Sequence, residues 1–232
     1  MSFRLLHRPL AWLIERHPRL YLRLKRMQGL RLGEQPGFLA LHAELVRTGD
    51  CLMTLPERYN LWTLAHRSRS RPGALAEVGV YRGGSARILA AAKGDAALHL
   101  FDTFDGMPAS EPAHDGRFIR GQLGDTSLAA VREKLRPWPD VHFHPGFFPD
   151  TAAVLPADLR FKLVHLDVDI RRSNLAALEF FYPRLLPGGC LVVHDYNATS
   201  VPGTKLAVDD FMRDKPEIVV ELWHTQALIV KL

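Results

Sequence analysis

Cysteine is scarce in this 232-residue chain: Cys51 and Cys190 are the two, and neither stands in a C-x-x-C pair. That excludes a disulfide scaffold and a zinc finger, and it fits a reducing compartment. Internal repeats and low-complexity tracts are absent. With 47% hydrophobic and 24% charged residues, the composition is that of an ordinary globular protein, which rules out disorder and collagen-like folding. The length suits one larger domain with an appendage. A domain of this size buries roughly 70–75% of the surface of its unfolded chain, so it needs no disulfide or structural metal to fold.

Acidic charge is almost missing from the start of the chain. Residues 1–33 carry Arg4, Arg8, Arg16, Arg19, Arg23, Lys25, Arg26 and Arg31 against Glu15 alone. The remainder holds 22 basic and 24 acidic residues, so the overall +5 belongs to the N-terminal segment. A body without basic excess gives nucleic acid no electrostatic footprint, and no nucleic-acid partner is expected. Within the segment, Phe3, Leu6, Leu10, Leu13, Ile14, Leu20, Leu24 and Met27 recur at helical spacing, broken by Pro9 and Pro18. No run there approaches the roughly 18 apolar residues of a membrane span, and arginines occupy the place of a signal peptide's apolar region. The pattern therefore reads as a helical extension over residues 1–33, packed on the body or on a second subunit of a homo-oligomer. Peripheral contact of residues 1–30 with an anionic membrane at its inner, cytoplasmic face also fits.

From residue 34 onward the chain reads as one domain. Helical patterns at 38–48 and 56–68 precede a turn at Arg71-Pro72-Gly73. Short apolar runs then begin, at Ala74–Gly79, Leu98–Asp102, Val141–His144, Phe161–Asp167, Cys190–Asp195, Ile218–Trp223 and Ala227–Lys231. Helical patterns at 84–93, 126–136, 173–186 and 203–213 separate them. The alternation predicts an α/β fold, a doubly wound and mostly parallel sheet, closed by an antiparallel hairpin. Ligands of such sheets bind beyond the carboxyl ends of the strands. That edge here carries Gly79 through Ser85, Asp102 through Gly106, Pro145 through Phe148, Asp167-Val168-Asp169 and His194-Asp195-Tyr196.

Glu77-x-Gly79-x-x-x-Gly83-Gly84-Ser85 joins the first strand to a helix. Glycines permit a tight turn and close approach to bare backbone, and a helix N-terminus offers free N–H groups. Asp102 ends the second strand 23 residues after Gly79, where an acid accepts hydrogen bonds from ribose hydroxyls. Capping of the following turn is the plainer role for it. Phe147 and Phe148 are candidates to wall an adenine ring, or to pack in the core.

Four ordered motifs carry a resemblance that runs from about residue 50 to the C-terminus. They are Glu77 through Ser85, Phe101-Asp-Thr-Phe-Asp-Gly-Met-Pro108, Leu166 through Asp169, and Pro187-Gly-Gly189 leading to His194-Asp-Tyr196. Together they resemble the macrocin O-methyltransferase family, of the class I S-adenosylmethionine-dependent methyltransferases. The first motif is more distantly similar to that of catechol O-methyltransferase. The resemblance implies a Rossmann-like, seven-stranded sheet of order 3-2-1-4-5-7-6, S-adenosylmethionine as methyl donor, and Mg2+ holding a hydroxyl acceptor. It places Glu77, Gly79, Tyr81, Gly83 and Ser85 around the methionine part of the donor, Asp102 on the ribose, and Phe147 and Phe148 near the adenine. Asp167, His194 and Asp195 fall where relatives keep metal ligands. Two departures stand out: His194 replaces an acid, and Val168 replaces a glycine. Imidazole is a poor magnesium ligand. Either Asp167 and Asp195 hold the ion with waters, or a softer metal is preferred, or none binds.

Methyl transfer needs an oxygen nucleophile aligned with the sulfur–methyl bond and relieved of its proton. Asp167, Asp169 and His194 are the candidate catalytic residues, His194 with an ordinary pKa suited to a general base. Asp169 as a cap of the next helix, or as a partner of Arg171 or Arg172, is the structural alternative. His165 is expected to be buried and structural, and Asp209-Asp210 to be a solvated face. Residues 103–125, rich in glycine and proline, read as a lid over a small polar acceptor, most plausibly a sugar of a glycosylated metabolite or of a surface-glycan precursor. A nicotinamide-dependent oxidoreductase shares the glycine loop and the acid, but G-x-G-x-x-G is lacking. A non-catalytic cofactor-binding scaffold is the third reading.

Overall fold

In a computed structural model, the described residues are Arg16, 35–108, 112–115 and 119–232. The expected N-terminal extension, and the membrane or subunit contact expected of it, therefore lie outside them apart from Arg16. So do residues 109–111 and 116–118 of the expected lid. Among the described residues no helix is long and apolar enough to cross a membrane.

Helices α1 (Pro36–Thr48) and α2 (Leu55–Ser68) lead into β1 (Ala74–Val78), α3 (Gly84–Ala92) and β2 (Leu98–Asp102). A short α4 (Pro112–Asp115), α5 (Leu128–Leu135) and β3 (Val141–Pro145) follow, then β4 (Phe161–Leu166) and α6 (Arg171–Phe181). The chain ends with β5 (Leu185–Val193), α7 (Pro202–Met212), β6 (Val219–Glu221) and β7 (Ala227–Val230). The sheet has seven strands in the order β3-β2-β1-β4-β5-β7-β6, the order that the resemblance implies. β1 through β5 pair in parallel, and β7 runs antiparallel to both β5 and β6.

Alternation along each strand splits the core into two layers. Leu75, Leu98, Leu100, Leu163 and Val192 pack with α1, α2, α3 and α5 on one face. Ala76, Val78, Phe101, Val164 and Leu166 pack with α6 and α7 on the other. β1 and β4 are buried along their whole length, as expected for strands covered on both sides. Two expected boundaries move. The helical pattern at 173–186 stops at Phe181, because Pro183 lacks an N–H and a 3-10 turn, Tyr182–Arg184, takes over. β5 then begins at Leu185, five residues early, and bulges through Pro187-Gly188-Gly189 before Cys190 pairs with Leu163.

Chain order reverses between β1 and β4, which sets a crevice at their carboxyl ends.

Candidate active site

The turn leaving β1 is shaped by protein packing on protein. Gly79 has φ +90°, and a Cβ there would overlap the carbonyl oxygen of Asp167. Gly84 meets Cys51 and Asp50 in the same way. Gly83, at φ +83°, is the N-cap of α3. Close approach by a ligand is thus not what these glycines serve first; they bring β1, β4 and the segment after α1 together. The Asp102 carboxylate anchors the turn from β2. Its Oδ2 accepts from the N–H groups of Val80 (2.6 Å) and Tyr81 (2.8 Å), and its Oδ1 from that of Phe104 (2.7 Å). A carboxylate has about four acceptor positions. Three are used, which leaves capacity on the half-buried side facing the crevice.

A single cavity of about 360 Å³ runs along this edge. Gly79, Tyr81, Ser85, Asp102, Phe147 and Phe148 line it together with Asp167, Asp169, His194 and Asp195. Two residues expected in its wall are elsewhere. Gly83 stays behind the helix start, and Glu77 lies beneath the floor, fully buried, with His165 Nδ1 2.8 Å from its Oε1. Burial raises the Glu77 pKa against the opposing pull of His165. Glu77 therefore holds a histidine in place through one oxygen, while its other, Oε2, is buried without a hydrogen-bond partner among the described residues. Of the two aromatics, Phe148 is a core residue that stacks on Phe181, with ring centroids 5.5 Å apart. Phe147 is half-buried and leaves its ring toward the cavity, beside the Arg172 guanidinium.

Beyond β4 and β5 the polar groups converge. His194 Nδ1 is 3.0 Å from Asp167 Oδ1 and 3.4 Å from Asp195 Oδ1, and Nε2 is 3.7 Å from Glu57 Oε2. Neither nitrogen is aligned for a hydrogen bond, so charge holds the ring. Burial disfavours its protonated form, but Asp167, Asp195 and Glu57 prevail and put its pKa well above the ordinary value. The shift favours the charged ring. Asp169 is no helix cap. α6 starts after Ile170, Arg171 pairs with Asp210, and the Arg171 N–H is taken by Asp115 Oδ1 from the lid (2.7 Å). Instead Asp169 turns into the cavity with φ +60°, and Asp195 is left-handed at +56°. Burial, then the neighbouring Asp167 and Asp195 charges, push the Asp169 carboxyl well above the usual carboxylate range.

Glu57 has no place in the sequence reading. It sits 2% exposed on α2, where it closes a capping box with Thr54 and accepts from Thr225 Oγ1 (2.5 Å). Thr54-x-x-Glu57 is a visible capping signature, but nothing local says that the same carboxylate faces His194. Asp209 and Asp210 are also more than a solvated face: Asp209 accepts from the Tyr196 hydroxyl (2.5 Å), and Asp210 pairs with Arg171 and Arg213. The described parts of residues 103–125 line the cavity through residues that include Met107, Pro108, Gln122 and Leu123. Its end is tied down where the Tyr81 hydroxyl donates to Asp125 (2.7 Å), beside the Arg82–Asp125 ion pair.

Residues 65–228 match the family model described as Macrocin-O-methyltransferase (TylF). The chain belongs to this family. Among relatives of the macrocin O-methyltransferases, an 8-demethyl-8-(2,3-dimethoxy-alpha-L-rhamnosyl)-tetracenomycin-C 4'-O-methyltransferase of Streptomyces olivaceus is 36% identical over 60% of this chain and 58% of its own. A mycinamicin III 3''-O-methyltransferase of Micromonospora griseorubida is 31% identical over 65% of this chain and 64% of its own. The chain therefore spans less than two thirds of the length of these curated relatives. In three dimensions the O-methyltransferase NovP superposes with a TM-score of 0.67 at 23% identity, over 78% of this chain and 82% of that one. An O-methyltransferase of Bacillus cereus in complex with SAH does so at 0.56 and 13%, over 84% and 90%. At these identities the likeness establishes the class I methyltransferase fold.

Proposed function

We propose that this protein is an S-adenosylmethionine-dependent O-methyltransferase whose acceptor is a sugar hydroxyl of a glycosylated small molecule. The observation that carries the reading is the continuity of the cavity. It joins a turn held by Asp102 to a cluster of acids at the switch point, so a donor and an acceptor can meet in one enclosed space. The relatives' names supply the acceptor class. Both cysteines are free, in keeping with a reducing cytoplasm.

The residues present fit such a donor. Asp102 keeps an acceptor position for a ribose hydroxyl, Phe147 offers an aromatic face, and Tyr81 and Ser85 border the space between them and Asp167. S-adenosylmethionine, when bound, supplies an electrophilic methyl group. What the chain itself does is orient, exclude water and take a proton. An acceptor hydroxyl beside the acids would be placed to take that methyl group, the electron pair of the donor's carbon–sulfur bond staying on sulfur. The hydroxyl proton passes to the group of Asp167, Asp169 and His194 that lines the cavity. Met107, Pro108 and Leu123 shield the mouth from water.

Magnesium is a different matter. Among the described residues Asp167, His194 and Asp195 bring ligand atoms within 4.8 Å of one another, a group that could hold a metal ion. The imidazole stands where a hard ion wants oxygen, so the set suits magnesium poorly, and no step is routed through a metal.

Isothermal titration of the full chain with S-adenosylhomocysteine and with NAD tests the reading. Binding of the former and not the latter is expected, followed by a one-methyl mass gain on glycosylated acceptors bearing free sugar hydroxyls. Tighter NAD binding, or no S-adenosylhomocysteine binding, would sink it.

A further inference from the structure

We propose that Asp115 is a positioning residue: by docking on the start of α6, it fixes the turn that carries Asp169 into the cavity. That turn is not one its own residues favour. Asp169 is left-handed at φ +60°, a conformation that a Cβ disfavours and that persists only where its surroundings over-determine it. Hydrogen bonds from several elements do so. The Ile170 N–H donates to the Val168 carbonyl (2.6 Å), Asn174 Nδ2 to the Ile170 carbonyl (3.1 Å), and Thr204 Oγ1 to the Asp169 carbonyl (3.3 Å). Asp115 adds a bond from the connection between β2 and α5, its Oδ1 accepting from the Arg171 N–H at 2.7 Å. Its carboxylate is 1% exposed, and it meets the first turn of α6, where N–H groups lack helical partners and negative charge is favoured.

Gly203 on α7 is the seat for this contact. A Cβ there would stand 2.4 Å from Asp115 Oδ1, 2.8 Å from the His114 carbonyl oxygen and 3.0 Å from the Arg171 nitrogen. Gly203 lies within a helix and its φ is not left-handed, so alanine would otherwise be the better residue. Room for His114 and Asp115 is what the glycine serves. The same connection lines the cavity through Met107, Pro108, Gln122 and Leu123. The segment that shields the space thereby also sets an acid inside it.

The inference rests on the methyl-transfer reading for the use of the cavity, and S-adenosylhomocysteine binding reports that reading separately. The docking itself is read without an acceptor, on the full chain. Asp115→Ala and Gly203→Ala are each expected to speed hydrogen exchange over residues 168–172 at least about tenfold, with β1 and β4 unchanged. Both should also move the carbon-13 Cα and Cβ shifts of Asp169 away from left-handed values. Asp115→Asn, whose amide oxygen still accepts from the Arg171 N–H, should restore native exchange and shifts. S-adenosylhomocysteine affinity should stay within about twofold in all three, as for sites that do not touch. On glycosylated acceptors that gain a methyl group, kcat of Asp115→Ala should fall at least about tenfold, the effect of a misplaced group. Native exchange and shifts in Asp115→Ala, no rescue by Asp115→Asn, or an unchanged kcat overturns the proposal. Should Asp115→Ala not fold, Gly203→Ala decides by the same readings. A native chain that binds no S-adenosylhomocysteine refutes the methyl-transfer reading instead, and exchange and shifts still decide the role of Asp115.

Discussion

Asp102 organises three backbone N–H groups and keeps one acceptor position open, so its removal has two effects at once. Asp102→Ala is expected to weaken S-adenosylhomocysteine binding at least about tenfold and to cost about 1–3 kcal/mol of stability, because buried donors lose their partner. Calorimetry and thermal melts check both parts. Asp167→Ala separates an enzyme from a scaffold. Turnover should fall at least about tenfold while S-adenosylhomocysteine still binds, on the scale of one lost catalytic group. A second titratable group far from the site governs acid stability. His99 is 8% exposed, lies 3.1 Å from His144 Nε2 and stacks on His142. Burial first, then these two rings, lower its pKa from 6.5 to about 4. A depressed folded-state pKa gives stability that is fully present above pH 6.5 and drains away as pH falls toward 4, by up to about 3 kcal/mol. The melting temperature of native protein should therefore drop more steeply over that range than that of His99→Phe. Equal slopes would contradict this.

Elements meet most tightly at the turn after β1. The Cβ of Gly79→Ala would overlap the Asp167 carbonyl at φ +90°, so β1 and β4 would have to part. More than about 3 kcal/mol of destabilisation is expected, in the range of overpacked cores, measured by urea unfolding. By contrast, Ser127→Ala at the N-cap of α5 removes a single bond to the Ala130 N–H and should cost about 1 kcal/mol. Both elements were legible in advance, since strand–glycine–helix and Ser before an apolar run are local signals. The end of α6 was not read correctly: periodicity carried it to 186, whereas Pro183 and the pull of the sheet on Leu185 ended it sooner.

Across the whole molecule, the two covered faces follow from strand–helix alternation, and the sheet order is the one that the family resemblance implies. Saturating S-adenosylhomocysteine should raise the melting temperature of the entire domain, by about 2.7 kcal/mol of stability at a hundred times its Kd. The chain order of motifs placed Asp102, Asp167, Asp169, His194 and Asp195 on one edge before any coordinates, because every strand ends there. What sequence could not decide is who faces whom. Glu57 comes from a helix more than a hundred residues away from His194, and Glu77 meets its cross-strand neighbour His165. Residue type and period set the elements, since they depend on neighbours along the chain. The charge state of a buried ring depends on neighbours in space, and only folding brings Asp167, Asp195 and Glu57 to bear on it.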